Sequence, residues 1–150
     1  LTTWSLTKVL QLGTARAAYN VIPPGTRLAG KTGTTDDLRD TWFAGYSADH
    51  VAVVWVGRDD YKPTGLSGAT GAMPIWAKLM RDLNVRGLDG ASPAEVEDAL
   101  IDPASGLAAN ENCEGAISLP YMAGYVPTEK APCAGGFFDK PAEWLQDIFQ

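Results

Sequence analysis

Residues 25–35 read GTRLAGKTGTT, and two incompatible chemistries fit those letters. Gly25, Gly30, Lys31 and Thr32 satisfy the phosphate-loop pattern G-x-x-x-x-G-K-[ST], while Lys31, Thr32 and Gly33 spell the K-T-G triplet of serine acyl-transfer enzymes. The two demand different backbones. A phosphate loop leaves a buried strand and opens a helix, so that helix amides and the lysine surround the phosphates. A K-T-G triplet works from an extended strand. The local fold of this stretch therefore decides the chemistry.

The flanks favour a strand. The segment before Gly25 is VIPP, whose prolines cannot sit in a central strand, and the segment after Thr32 is GTTDDLRDTW, poor helix-starting material whose acids would repel a nucleotide. Further on, DTWFAGYS (40–47) and HVAVVWVGRD (50–59) carry Trp42, Phe43, Tyr46, Val51, Val53, Val54, Trp55 and Val56, a β-branched and aromatic density typical of strands. The polar SADH between them has the length of a hairpin connection, which predicts antiparallel pairing. In the nucleotide reading VAVVWVGRDD would be an apolar strand ending in a magnesium ligand, Asp59; alternation and the hairpin explain it more simply.

A K-T-G strand serves acyl transfer from a sheet edge, where an extended peptide can add alongside through main-chain bonds and a glycine permits close approach. Lys31 then offers positive charge or a proton relay, and Thr32 and Thr34 offer hydroxyls to a substrate carboxylate. The Thr34 amide is a candidate donor to a tetrahedral oxyanion. Strict alternation sets Lys31 and Thr32 on opposite faces, so both serve one cleft only if that cleft wraps the strand edge, which Gly30 and Gly33 would permit.

Around this centre, LTTWSLTKVLQLG (1–13) has helical spacing and ends near Gly13, and YNVIPPGTR (19–27) reads as a turn or crossover. ATGAMPIWAKLMRDLN (69–84) places Ala72, Ile75, Trp76, Leu79, Met80 and Leu83 on one helical face, with Pro74 tolerated in the first turn. Such a helix would cover the back of the sheet. From Gly87 onward the pattern changes. Ser92–Glu95 fits a capping box, yet Asp102–Gly106 is a turn that suits a short hairpin equally. A last helix is expected over 139–149, with Asp139 as cap and Trp144, Leu145, Ile148 and Phe149 on one side.

The whole is expected to be a mixed α/β fold, α+β-like: antiparallel strands covered by helices over 1–86, then a small tail over 87–150. Its 150 residues carry a net charge of −6 with the acids dispersed, which disfavours nucleic acid and anionic lipid as partners. No apolar run approaches the roughly 20 residues that span a bilayer. Opening at Leu1 inside a helical pattern, the chain is expected to be a piece of a longer protein.

Cys113 and Cys133 lie in the Gly-, Pro- and Asn-rich final third. A bridge between them would close a loop of about 20 residues, contribute about 3 kcal/mol by the chain-entropy estimate and point to an oxidising compartment. Two free or metal-binding thiols are the alternative, though no histidine lies near for a zinc site. His50 falls in the hairpin turn, a surface position more than a general base. Arg58 and Asp59 are expected to form structural ion pairs, and Asp36, Asp37, Arg39 and Asp40 to be solvated loop charge at the rim of the site.

The stretches LAGKTGTTDDLRDTWFAGYSADHVAVVWVGRDD (28–60) and GLSGATGAMPIWAKLM (65–80) resemble the carboxy-terminal part of the transpeptidase domain of bifunctional class A penicillin-binding proteins. VLQLGTARAA (9–18), DPASGLAANENC (102–113) and EWLQDIF (143–149) look most like the type 1B branch. The resemblance implies the serine β-lactamase and transpeptidase fold, with Lys31, Thr32 and Gly33 as its third motif. It makes Lys31 and Thr34 the catalytic contributors from this chain, Thr34 as oxyanion-hole amide and carboxylate contact, and Thr35 a lesser candidate for the site wall. Cys113 and Cys133 look like the disulfide of the tail.

The same resemblance implies a peptidoglycan D-Ala-D-Ala transpeptidase that is acylated by β-lactams and uses no cofactor or metal. Implied partners are the rest of the protein, stem peptides, β-lactams, and periplasmic or outer-membrane regulators. The place implied is the periplasmic face of a Gram-negative inner membrane, with the anchor and any glycosyltransferase domain on sequence not present. One departure is large. Ser5 and Lys8 satisfy S-x-x-K as letters, but only residues 9–30 separate them from Lys31 and no S-x-N occurs, so the nucleophile belongs to other sequence and Ser5 is an ordinary helix serine. The rival readings are a non-catalytic module binding cell wall or partner through the edge strand and the disulfide-tied tail, and the nucleotide binder.

Overall fold

The computed structural model of the chain describes residues 1–135, arranged as two compact units, Leu1–Ala91 and a second beginning at Ser92. The first unit runs α1 (Thr2–Gln11), a 3-10 turn (Arg16–Asn20), β1 (Ala29–Thr34), β2 (Thr41–Tyr46), β3 (Val51–Val56) and α2 (Ala72–Asp82). The strands form an antiparallel sheet in the order β1-β2-β3, so among the described residues β1 is an edge. Register pairs Lys31 with Ala44, Thr32 with Phe43 and Gly33 with Trp42, and on the other side Phe43 with Val54.

Alternation builds the core. Thr41, Phe43 and Gly45 face inward from β2, while Trp42 and Ala44 between them are exposed. Phe43 is wholly buried and meets Trp76 of α2 with ring centroids 4.7 Å apart. Each such side chain contributes on the order of 2–3 kcal/mol by leaving water. Leu10, Leu28, Met73, Ala77 and Met80 complete the cluster. Gly45 is where α2 comes closest to the sheet: a Cβ there would lie 2.5 Å from Trp76 Cζ2.

The helix over 72–82 forms where its spacing predicts, but its buried face is turned from the expected one. Ala72, Met73, Trp76, Ala77 and Met80 are buried, whereas Ile75, Leu79 and Leu83 are exposed. The small Ala77 lets the helix approach the sheet, and this side wins over the bulkier stripe. The hairpin turn at 47–50 is tied internally: Ser47 Oγ donates to Asp49 Oδ1 at 2.6 Å and accepts from the Asp49 and His50 amides. The Ser47 hydroxyl, then His50, hold the Asp49 carboxyl down at about 2. Its oxygens also accept from the Arg86 amide at 3.2 and 3.3 Å, and Leu88 N–H donates to Arg27 O at 2.8 Å.

In the second unit β4 (Val96–Ile101) and β5 (Ile117–Met122) pair antiparallel. The capping-box alternative at Ser92 does not form: Val96 N–H donates to Pro93 O in a turn that leads directly into β4. Asp102 accepts from the amides of Ala104 and Ser105 and from the Ser105 hydroxyl, closing the turn anticipated at 102–106. The Ser105 hydroxyl is the main cause of its lowered pKa. Cys113 and Cys133 are joined in a disulfide. The helix expected over 139–149 lies outside the described residues.

Candidate active-site edge

The K-T-G letters occupy the middle of β1, with no helix beginning at Lys31 or Thr32. This removes the backbone that a phosphate loop needs. Beyond Thr34 the chain makes one 3-10 turn at Asp36–Leu38 and enters β2.

The register sets which main-chain groups are free. Thr35 N–H donates to Asp40 O, so the bonded pairs of the antiparallel ladder fall at 35, 33, 31 and 29. The amides and carbonyls of Gly30, Thr32 and Thr34 then face away from β2, toward the open edge. An extended peptide can add to such an edge, and the Thr34 N–H is available to a developing negative charge there.

The side chains gather on that edge. Lys31 leaves the outer face of the sheet, yet its ammonium curls over to donate to Thr32 O at 2.9 Å and lies 3.5 Å from Thr32 Oγ1. This answers the alternation problem: the lysine reaches the threonine side by wrapping the strand margin. Thr32 Oγ1 hydrogen-bonds the Thr14 hydroxyl at 3.0 Å, which ties the strand to the segment after α1. Thr34 Oγ1 accepts from the Gly68 amide at 2.9 Å. Lys31 and Thr34 are exposed and Thr32 half-buried, the arrangement of an open groove wall.

Thr35 is engaged differently. Its hydroxyl donates to Asp40 Oδ2 at 3.2 Å and accepts from the Asp40 amide at 2.9 Å. Asp40 Oδ1 in turn accepts from the Trp55 indole at 2.9 Å. Asp40 is therefore a structural lock rather than the solvated rim charge expected of it. Through Thr35 and Trp55 it pins the end of β1 to β3. The turn it closes holds Asp37 and Leu38 at φ 58° and 56°, and Leu38 O is held by both the amide and the hydroxyl of Thr64. Left-handed backbone at two adjacent non-glycine residues costs of order 1 kcal/mol or more each and persists only where surroundings enforce it.

The remaining candidates stand apart. Ser5 is exposed, and Lys8 bonds Gln11 Oε1 at 3.0 Å and lies over the Trp4 ring, so the S-x-x-K letters make no nucleophile–base pair. Arg58 pairs with Asp60, not Asp59, through two contacts of 2.8 and 2.9 Å; the fork geometry of guanidinium on carboxylate selects the residue two along. His50 lies in the turn, 3.0 Å from Asp49. Among the described residues no group of three His, Cys, Asp or Glu side chains converges as a metal site, and no helix is long and apolar enough to cross a membrane.

No protein-family model matches the chain. It is 42% identical over 105 residues to penicillin-binding protein 1B of Escherichia coli, and 32% identical over all 150 residues to penicillin-binding protein 1B of Vibrio cholerae. The crystal structure of penicillin-binding protein 1A from Haemophilus influenzae superposes with a TM-score of 0.75 at 27% identity, over 86% of this chain and 20% of that one. The matched stretch spans only 12% and 18% of the length of the E. coli and V. cholerae relatives. The chain is thus homologous to a segment of the class A penicillin-binding proteins 1A and 1B, and belongs with that family.

Proposed function

We propose that this chain supplies the K-T-G wall of a serine D-Ala-D-Ala transpeptidase site whose nucleophile lies elsewhere in the same protein. The observation that carries the reading is the edge of β1 away from β2, open among the described residues, where Lys31, Thr32 and Thr34 present an ammonium and two hydroxyls and the register turns the Thr34 N–H outward from the ladder. In this reading a serine of the S-x-x-K motif attacks the penultimate D-Ala carbonyl of a stem peptide. The tetrahedral oxyanion forms against the Thr34 amide, free D-Ala leaves with a proton, and the acyl group passes to an amine of a neighbouring stem.

Thr32 and Thr34 hold the terminal carboxylate, and Lys31 keeps the groove positive and carries proton traffic. A β-lactam occupies the same place, and its carboxylate takes the position of the D-Ala carboxylate. Gly33 lets the peptide approach, and Thr35 supports the wall through Asp40. The parent protein works at the periplasmic face of a Gram-negative inner membrane, with its anchor and glycosyltransferase domain outside this chain.

Labelling with fluorescent penicillin tests the reading. The complete protein carrying this segment is expected to label strongly, its Lys31→Ala variant severely less, and the isolated chain not at all. Covalent label on the isolated chain at Ser5, or full labelling of Lys31→Ala, would overturn it.

A further inference from the structure

We infer that Gly68 is a positioning residue for the anion-holding hydroxyl of Thr34, an inference that rests on the transpeptidase reading of the β1 edge. Gly68 N–H donates to Thr34 Oγ1 at 2.9 Å. A hydroxyl carries one proton and two acceptor lone pairs. The glycine amide occupies a lone pair, and among the described residues Thr34 Oγ1 has no other hydrogen-bond partner. The proton is left to point outward, on the side where Thr34 is exposed. Thr34 is thereby fixed as a donor. Its complement is an anionic acceptor such as a carboxylate, with which the bond becomes charge-assisted.

The bond belongs to a chain running in from the turn that leads into α2. Thr70 N–H donates to Ser67 O at 3.0 Å, and the same Ser67–Gly68 peptide group then donates through Gly68 N–H to Thr34. Hydrogen bonds in such a series polarise one another, which strengthens the outward donor. Ser67 N–H donates to Thr70 Oγ1 at 2.9 Å and Gly71 N–H to Ser67 O at 2.8 Å, so the loop holding Gly68 is braced on both sides.

Only glycine can stand there. A Cβ at residue 68 would lie 2.6 Å from Gly33 O, 2.8 Å from Trp42 O and 3.0 Å from Gly33 N. These are main-chain atoms of a paired register position in β1 and β2, and they cannot retreat one at a time. A larger residue must lift the loop and take the amide away from Thr34, which frees the hydroxyl to rotate. Gly68 touches no reacting atom; it acts through Thr34.

The test uses the complete penicillin-binding protein that carries this segment, with benzylpenicillin and its methyl ester as probes and the second-order acylation rate as readout. Gly68→Ala and Thr34→Val are expected to slow acylation by the free carboxylate about 10-fold or more, the loss of one charge-assisted hydrogen bond. The ester, which offers no carboxylate to the hydroxyl, should be slowed several-fold less than the free carboxylate in both variants. Thr34→Ser should retain the wild-type preference, and adding Gly68→Ala to Thr34→Val should remove none beyond that already lost.

Equal slowing of both probes in Gly68→Ala, the mark of a merely structural role, would overturn the inference. So would an unchanged carboxylate preference in Thr34→Val, which is near-isosteric and decides the matter even if Gly68→Ala does not fold. A wild-type protein that neither probe acylates would overturn the transpeptidase reading itself, a result distinct from loss of preference in the variants.

Discussion

Gly45→Ala is the sharpest test of how α2 holds the sheet behind the K-T-G strand. The added methyl would sit 2.5 Å from Trp76 Cζ2, 2.8 Å from Trp76 Cε2 and 2.9 Å from Ala29 O. Neither neighbour can yield freely. Ala29 is the first β1 residue, paired with Tyr46, and Trp76 is fully buried against Phe43. Overpacking of this kind costs about 1–3 kcal/mol, here expected toward the upper end because two rigid groups are met at once.

Indole Cζ2, the closest clashing atom, has no counterpart in phenylalanine, so Trp76→Phe should relieve part of the penalty and leave the 2.9 Å contact with Ala29 O. That substitution also removes Trp76 Nε1, a buried donor with no partner among the described residues, which offsets part of the packing it loses. The assay is urea unfolding of the parent protein and of the two single variants and the double, read as a thermodynamic cycle. Gly45→Ala is expected to cost at least about 1 kcal/mol alone and clearly less, though not nothing, in the Trp76→Phe background. A Gly45→Ala protein as stable as wild type, or equal losses in both backgrounds, would refute the packing argument.

Three further outcomes follow from named contacts. Asp49 has a depressed folded pKa of about 2, so its contribution is present above the unfolded value near 4 and is lost as pH falls toward the folded one; amide exchange at 47–50 and 86 should match Asp49→Asn at the acid end and be slower than in that variant at pH 6. Reducing Cys113–Cys133, which are 20 residues apart, should destabilise the second unit by about 3 kcal/mol, raising exchange around 108–134 while the β1–β2 amides keep their protection. Trp55→Phe removes the bond to Asp40 and should raise exchange at 35–40 and slow penicillin acylation by a few-fold, about 1 kcal/mol for a half-exposed charged hydrogen bond.

How far the sequence speaks can be judged from these residues. The strands and hairpin were legible because alternation and a polar four-residue turn are local signals, and the K-T-G stretch could be placed on a strand because its flanks forbid a helix. The buried side of α2 was not. Ile75, Leu79 and Leu83 make an apolar stripe as regular as Met73, Trp76, Ala77 and Met80, and only the approach of the sheet at Gly45 decides between them. The capping-box letters at Ser92 were likewise ambiguous until β4 found its partner β5.

The candidate site divides the same way. Lys31, Thr32 and Thr34 declare themselves as a motif. Asp40 and Gly68 do not, since their roles depend on Trp55 and Thr34, 15 and 34 residues away along the chain. The sequence sets no mark on Gly68: it lies in the turn closed by Thr70 N–H on Ser67 O, as an ordinary loop glycine would, and its closeness to Gly33 O and Trp42 O exists only in the fold.

The central claim is that the open margin of β1 holds the acyl group and its carboxylate. The direct measurement is a crystal structure of the complete protein acylated by benzylpenicillin. The account predicts a penicilloyl carboxylate within hydrogen-bond distance of the Thr32 and Thr34 hydroxyls, with the acyl oxygen at the Thr34 amide. A penicilloyl group bound with its carboxylate away from β1, or with another strand occupying that margin, would contradict it.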